Sequence, residues 1–185
     1  MDGLFHEKIW ALIESIRLSD CAEFETIDAG WCRVGMRIVL QRVSEAAVTI
    51  DGVVRGEIGT GLMLLVGITE GDSREDIEWL VRKIVGMRVF GDEEGKMNRS
   101  LQEVEGDILL VSQFTLHAST KKGNRPSYTR AAPPEMAVPL YEATIEAFEA
   151  ALGRKIQCGE FGADMKVSLV NDGPVTIWMD SHRRE

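Results

Sequence analysis

A β-hairpin can be recognised directly in residues 37–58, and it limits the fold more than any other part of the chain. From Arg37 to Ile50, apolar side chains alternate with polar ones, which is the two-residue period of a strand. Asp51-Gly52 follows, and glycine tolerates the positive φ that a two-residue hairpin turn requires. Val53 to Ile58 returns as the second strand. At least part of the sheet is therefore antiparallel.

Further strands are predicted from apolar runs along the chain. Leu62 to Ile68 is continuously apolar, which is typical of a buried strand. Ile108 to Leu116 is predicted to be another strand. Shorter apolar stretches near the C-terminus complete the predicted strands: Ile156–Cys158, Lys166–Val170 and Val175–Met179.

Two helices interrupt these strands. Asp72 or Ser73 carries the side chain of a helix N-cap, and apolar residues recur at helical spacing from there to about Gly86. Pro133-Pro134 precede a second helix, Glu135–Leu152, because proline is tolerated in the first turn of a helix. Many strands with two helices and no internal repeat predict a single α+β domain.

Residues 1–35 differ from the rest of the chain. Apolar residues at roughly helical spacing between Leu4 and Ile16 predict one short amphipathic helix, followed by an acidic stretch. We therefore expect an N-terminal extension at residues 1–35 and a folded domain at residues 36–185. The extension is either a genuine accessory helix or the product of an upstream start codon.

The charge distribution points to one local site for an anion. The net charge is −9, so the surface as a whole should repel a phosphate backbone. Residues 117–130 contain no acid and four basic side chains, Lys121, Lys122, Arg125 and Arg130. Such a loop can bind phosphates without reading sequence, although an ordinary solvated loop explains the same residues equally well.

No metal or cofactor is expected. The three cysteines and three histidines are scattered, and they form neither a disulfide framework nor a zinc-ligand spacing. No stretch is long and apolar enough to span a bilayer, and the N-terminus lacks the pattern of a signal peptide. We therefore expect a cytoplasmic protein with free thiols.

Polar and aromatic side chains gather at Ser112–Leu116, at the end of an apolar strand. Taken alone, this segment is a half-exposed strand edge. Ser112 lacks the glycine-flanked elbow of α/β-hydrolases, and on a strand it would point to the opposite face from His117. A Ser-His-Asp triad is therefore not expected, and His117 is interpreted as a surface or loop-entry residue.

A Gly-Pro pair, Gly173-Pro174, stands between two of the C-terminal strands. Its default interpretation is a turn. Only about 5–6% of X-Pro bonds in folded proteins are cis, so the sequence alone does not decide the isomer.

Together these segments resemble the D-aminoacyl-tRNA deacylase family. The resemblance runs in order from Met36 to Ser181, and residues 1–35 lie outside it. Its most specific part is the combination of Ser112–Leu116 with Asn171–Thr176. The other matching segments include Arg37–Ser44, Gly56–Gly59, Lys96–Asn98, Gly123–Ser127 and Phe161–Met165.

The resemblance implies a homodimer of small, mostly antiparallel, β-barrel-like subunits with two main helices packed on one side. It implies a hydrolase that cleaves the ester of D-aminoacyl-tRNA, and of glycyl-tRNA mischarged on tRNA-Ala, without a cofactor. Gly173-Pro174 would have a cis bond and enter the partner subunit's pocket, where its carbonyls face the Cα of the bound amino acid. An L side chain would clash there, whereas a D side chain points away.

Site roles also follow from the resemblance. Backbone N–H groups around Phe114 and Thr115 would stabilise the oxyanion, and the 2′-hydroxyl of the terminal adenosine would assist without any strictly required side chain. The side chains expected to position the ester or the attacking water are Ser112, Gln113 and Thr115. The expected substrate-binding residues are Phe114, Gly173, Pro174, Met165 and Arg42, with Phe114 and Met165 at the adenine and Arg42 holding the Gly-Pro loop.

Two alternatives stay open at this point. A related deacylase with a trans Gly173-Pro174 bond would have relaxed chirality. A non-catalytic nucleic-acid-binding protein could use the same fold as a scaffold.

Overall fold

The computed structural model describes residues 34–184, so the helix expected within residues 1–35 lies outside the described residues. The described elements in chain order are β1 (Arg37–Ile50), β2 (Val53–Ile58), β3 (Gly61–Gly67), α1 (Arg74–Val85), β4 (Phe90–Gly91), β5 (Met97–Arg99), β6 (Asp107–Ser112), a 3₁₀ turn (Phe114–His117), α2 (Pro134–Leu152), β7 (Gln157–Cys158) and β8 (Met165–Asp180). β4 and β5 form a small sheet of their own, and the other strands form one large sheet. No helix within residues 34–184 is long and apolar enough to cross a bilayer.

The predicted hairpin is confirmed. β1 pairs with β2 in antiparallel register, and the turn residues Asp51 and Gly52 have φ values of 50° and 77°. The positive φ at both positions matches the right-handed twist of the two strands, which explains why Asp-Gly stands here.

β1 is long enough to organise the whole sheet. One of its edges pairs with β8, and its other edge pairs first with β3 and then with β2. These three pairings are antiparallel, whereas β3 with β6 and β6 with β7 are parallel. β2 returns towards β7, since a Cβ added to Gly56 would lie 3.3 Å from the carbonyl oxygen of Cys158. The sheet is therefore barrel-like and nearly closed, as predicted, although the β3–β6–β7 part of it is parallel.

The central strands are buried on both faces, which explains their continuous apolar sequences. Leu62 and Leu64 of β3 belong to a core shared with both helices. Met63, between them, belongs to a second cluster with Val43 and Leu109 on the other face of the sheet. Alternation along the strand separates these two cores.

Both predicted helices are confirmed, with small shifts at their ends. α1 begins after Ser73, where the Asp76 carboxylate accepts from the Ser73 backbone N–H in a capping box. α2 begins at Pro134, one residue earlier than predicted, and ends at Leu152, where Gly153 follows as the C-cap with a φ of 68°. Buried residues of both helices pack into the same core.

Two strand predictions were wrong in detail. β6 ends at Ser112, and the chain turns at Gln113 into the 3₁₀ turn instead of continuing to Leu116. The two strands predicted on either side of Gly173-Pro174 form one continuous strand, β8. Val43 of β1 faces Asn171, and Gln41 faces Thr176, so residues 172–175 bulge out of the ladder. Pairing with β1 on both sides of the bulge outweighs the local turn signal.

Candidate active site

An open cavity of about 320 Å³ lies at the carboxyl ends of the parallel strands β3 and β6. Ser112, Gln113 and Phe114 form one wall, where β6 passes into the 3₁₀ turn. Phe161 and Met165 line the opposite side, at the turn that leads into β8. The volume is at the lower end of the range typical of small-molecule sites, about 300–1,000 Å³.

Short polar contacts organise the turn at this cavity. The backbone N–H of Gln113 donates to the carbonyl of Val66 at 2.6 Å, which ties the turn to β3. The side-chain amide of Gln113 donates to the hydroxyl of Thr115 at 2.5 Å, and both side chains are half-buried. Gln113 also lines the cavity, so its side chain connects Thr115 to the site.

The back of the turn is packed against β3 without free space. A Cβ added to Gly67 would lie 2.9 Å from Leu116 Cβ and 3.0 Å from the carbonyl oxygen of Gln113. His117, interpreted above as a surface or loop-entry residue, is instead fully buried behind the turn. That interpretation was wrong because it assumed a strand, whereas the 3₁₀ turn rotates His117 inward. Burial lowers the pKa of His117, so its imidazole is neutral at pH 7.

An aromatic pair stands at the mouth of the cavity. Phe114 is 54% exposed and Tyr128 is 40% exposed, and their rings meet edge to face with centroids 5.1 Å apart. Ser119 and Ser127 close the base of the intervening loop by two backbone hydrogen bonds of 2.7 and 2.9 Å. The basic residues singled out in the sequence lie on this loop or just after it, so positive charge adjoins exposed aromatic rings.

Gly173-Pro174 borders a different cavity, of about 400 Å³, together with Arg42 and Met97. The Gly173-Pro174 bond is cis, so the trans alternative is not the state of this structure. Asn171 closes the bulge, because its amide oxygen accepts from Val175 N at 2.9 Å and its amide nitrogen donates to Val175 O at 3.2 Å. The side chain of Arg42 contacts the bulge through Asp172.

The structure thus divides the predicted site residues into two groups. Ser112, Gln113, Phe114 and Met165 line the first cavity, and Thr115 is bonded to Gln113 beside it. Arg42, Gly173 and Pro174 line the second. Tyr128 was missed by the sequence reasoning, although an aromatic residue within a basic loop was a usable signal.

One potential cation site was also missed. Asp72, Asp76 and His182 bring one ligand atom each within 4.8 Å of one another. Both Asp76 oxygens are already occupied, one by the Ser73 cap and the other by His182 Nε2 at 3.3 Å. The cluster is therefore explained by helix capping and by the contact between His182 and Asp76.

Comparison with known proteins identifies the chain's relatives. The family model described as D-Tyr-tRNA(Tyr) deacylase matches residues 39–180. The D-aminoacyl-tRNA deacylases of Bacteroides fragilis (strain YCH46) and Chromobacterium violaceum are each 61% identical over 150 residues. The matches cover 81% of this chain and 100% of each relative.

Solved structures agree on the fold. The c-Myc DNA unwinding element binding protein superposes with a TM-score of 0.73 at 41% identity, over 77% of this chain and 97% of that chain. A probable eukaryotic D-amino acid tRNA deacylase superposes with a TM-score of 0.68 over 78% of this chain and 98% of that chain. At 20% identity, the second likeness concerns the fold alone.

The fold, the site and these relatives define the class of protein: an enzyme that hydrolyses the ester bond of an aminoacyl-tRNA. Within this class, the chain belongs to the D-Tyr-tRNA(Tyr) deacylase family, which confirms the family predicted from the sequence.

Proposed function

We propose that the chain hydrolyses D-aminoacyl-tRNA, and glycyl-tRNA mischarged on tRNA-Ala, and that the Gly173-Pro174 backbone of a second copy rejects L-aminoacyl groups. The observation that carries the proposal is the separation of the two halves of the site within one chain. Ser112–Phe114 line one cavity, and the exposed Gly173-Pro174 bulge borders another. A homodimer can bring the bulge of each copy to the pocket of its partner.

Selection by a backbone has a clear physical basis. Carbonyl groups held near the Cα of the bound amino acid exclude any L side chain, whatever its chemistry, because they leave no room on that side. A D side chain points away and glycine has no side chain, so both pass. The contacts of Arg42 and Asn171 support this role, since they hold the bulge from two directions.

Ester hydrolysis requires donors where negative charge develops on the carbonyl oxygen. The first N–H groups of a helical turn have no partner inside that turn, and here these belong to Phe114 and Thr115. Gln113 and Thr115 orient the ester or the attacking water beside them. The 2′-hydroxyl of the terminal adenosine is positioned by the same pocket, which restricts the substrate to RNA.

The loop between Phe114 and Arg130 binds the acceptor end of the tRNA. Lys121, Lys122 and Arg125 contact phosphates, while Phe114 and Tyr128 offer ring faces and edges to the terminal bases. Met165 closes the adenine pocket on the other side. Because charged tRNA is present in the cytoplasm, the enzyme acts there.

Exposed apolar side chains along β8 support the dimer. Val167, Val170 and Trp178 all lie on β8 and are between 37% and 49% exposed. They are spread along the strand, opposite Val48, Glu45 and Val39 of β1. Exposed apolar side chains are typical of a protein–protein interface, and these three lie on the strand that contains the Gly173-Pro174 bulge.

Deacylation of matched substrates tests the activity. Purified full-length protein is mixed with D- and L-aminoacyl forms of one tRNA, and with glycyl-tRNA-Ala. We expect hydrolysis of the D and glycyl esters and survival of the L ester. Equal cleavage of D and L esters contradicts the gate, and survival of all three contradicts the activity.

Mixed dimers test the exchange of the bulge. Phe114→Asp places a carboxylate where RNA must approach, and Gly173→Ala alters the bulge of an otherwise normal pocket. If the bulge acts in the partner, mixing the two variants creates one site with both parts intact, and D-selective hydrolysis returns. If each chain uses its own bulge, mixing restores nothing.

A further inference from the structure

A buried ion pair connects the ends of the sheet to the candidate active site. Arg37, the first residue of β1, lies opposite Asp180, the last residue of β8. Its Nε donates to Asp180 Oδ2 at 3.1 Å, and the Asp180 side chain is fully buried. Nη1 of the same guanidinium donates to the carbonyl of Leu116 at 2.8 Å. One side chain therefore joins β8 to the 3₁₀ turn.

Asp180 is itself a fixed anchor. Its other oxygen, Oδ1, accepts from the backbone N–H groups of Gly35, His182 and Arg183 at 3.0–3.2 Å. A carboxylate with this many donors has little freedom to move. The orientation of the Arg37 guanidinium is consequently fixed through Asp180 by backbone groups that precede β1 and that follow β8.

The hydrogen bond from Arg37 to Leu116 also fixes the rest of the 3₁₀ turn, which borders the candidate active site. Leu116 N donates to the carbonyl of Gln113 at 3.2 Å, so displacement of Leu116 also displaces Gln113. On the other side, Gly67 leaves no space behind the turn. Arg37 and Gly67 therefore hold the turn from two directions, while Phe114, the first residue of the turn, lines the cavity.

We propose that Arg37 is a positioning residue for deacylation: its fork, anchored on Asp180, sets the place of the Phe114–Thr115 N–H groups through the carbonyl of Leu116. The inference rests on the proposed function, because it takes that turn as the oxyanion site. Donors in such a site must stand where the charge develops, and a displacement of about 1 Å can reduce the rate about 100-fold.

The geometry of these two contacts requires an arginine at position 37. A positive charge alone would not hold both partners in place. Arg37 uses two different nitrogens of one rigid plane for Asp180 and for Leu116. A lysine ammonium is a single point on a flexible chain, so it can neutralise Asp180 without holding the carbonyl of Leu116 in the same place. Arg37→Lys therefore separates positioning from charge balance.

The experiment compares wild type, Arg37→Lys and the matched control Arg154→Lys, all as full-length protein. Arg154 also pairs with an aspartate, Asp107, at the opposite end of β6. For Arg37→Lys we expect kcat to fall about 10- to 100-fold with KM changed less than about threefold, because binding groups stay in place. We also expect faster amide hydrogen exchange at Leu116 and Ala118, and neither change in Arg154→Lys.

A purely structural role gives a different result. If Arg37→Lys keeps wild-type kcat and wild-type exchange in the turn, the inference is overturned. If that variant does not fold, Asp180→Asn replaces it, since the amide keeps the shape but weakens the anchor; wild-type kcat in Asp180→Asn then overturns the inference.

A third variant, Phe114→Asp, shows whether a negative result contradicts the role of Arg37 or the proposed site itself. Full activity in Phe114→Asp would refute the site at the turn. Loss of activity in Phe114→Asp together with normal kcat in Arg37→Lys refutes only the role of Arg37.

Discussion

Arg42 holds the backbone of Asp172: its Nε donates to the Asp172 carbonyl oxygen at 2.7 Å and lies 3.4 Å from the Asp172 carboxylate. A second nitrogen of the guanidinium donates to the carbonyl of Val89. The residue before Gly173 is thereby fixed to β1 and to the segment that follows α1. These tertiary contacts therefore determine where the bulge lies.

Arg42→Met should therefore reduce discrimination between D and L substrates. A hydrogen bond from a charged donor contributes about 1.5–3 kcal/mol, so we expect the ratio of D to L cleavage rates to fall at least about tenfold. Parallel deacylation assays with both substrates measure this ratio. Arg55→Met, at an exposed site on β2, is the control and should keep the wild-type ratio.

Gly173→Ala should disturb the same bulge through the backbone. Gly173 has a φ of 152°, and an added Cβ would lie 2.7 Å from Val175 N, so the chain must move. We expect a lower D-to-L cleavage ratio and a lower melting temperature. Gly71→Ala is the matched control, because Gly71 also has a positive φ of 92° but has nothing within 4 Å of the added Cβ. An unchanged ratio in Gly173→Ala would argue against the gate.

Tyr128→Ala should weaken substrate binding more than catalysis. The Tyr128 ring meets the ring of Phe114 at the mouth of the cavity, so its contact is with a side chain proposed to bind a base. Stacking of one base on an aromatic ring contributes about 1–3 kcal/mol, so we expect KM to rise at least about fivefold, with kcat within about twofold. Tyr128→Phe keeps the ring and should behave as wild type. A selective fall in kcat would assign Tyr128 a different role.

Lys122→Ala should reduce the salt dependence of the reaction. Each phosphate contact releases counterions, so loss of one contact lowers the slope of log(kcat/KM) against log[KCl] by about 1. Lys83→Ala, on α1, serves as the control and should leave the slope unchanged. The same slope in Lys122→Ala and wild type would show that this lysine does not touch phosphate.

Asp72→Asn should stabilise the protein at neutral pH. Burial, together with the charges of Asp76 and Asp180, raises the pKa of Asp72 from 3.8 to about 7. In the unfolded chain Asp72 loses its proton near pH 3.8, so the wild type loses stability as the pH rises from about 4 to 7. The uncharged amide of the Asp72→Asn variant does not ionise, so the variant does not lose stability in this way. After discounting for partial exposure, we expect the variant to be more stable by about 1–2 kcal/mol above pH 7.

Chemical unfolding at pH 3 and at pH 8 provides the test for Asp72. Wild type and variant should have similar free energies of unfolding at pH 3, where the carboxyl is mostly protonated in both the folded and the unfolded chain. An equal difference at both pH values would mean that ionisation of Asp72 is not its cause.

Local signals were sufficient where neighbouring residues decide the conformation. The Asp51-Gly52 turn, the Ser73 cap and the apolar run of β3 are each specified within a few residues, and all were predicted. The prediction failed at His117 and at β8, because both depend on partners distant in the chain. β1 keeps β8 continuous across the bulge, and β3 receives the imidazole that the 3₁₀ turn directs inward.

The family and its ester-hydrolysing activity were determined by the sequence alone, because short, ordered motifs at Ser112–Leu116 and Asn171–Thr176 are specific without coordinates. Only the tertiary structure decided which site residues share a cavity. It separates Gly173 from Ser112, joins Arg42 to Asp172, and places Arg37 between Asp180 and Leu116. The physical reason is that strand register and side-chain reach across the sheet, over separations of up to 143 residues, control these contacts.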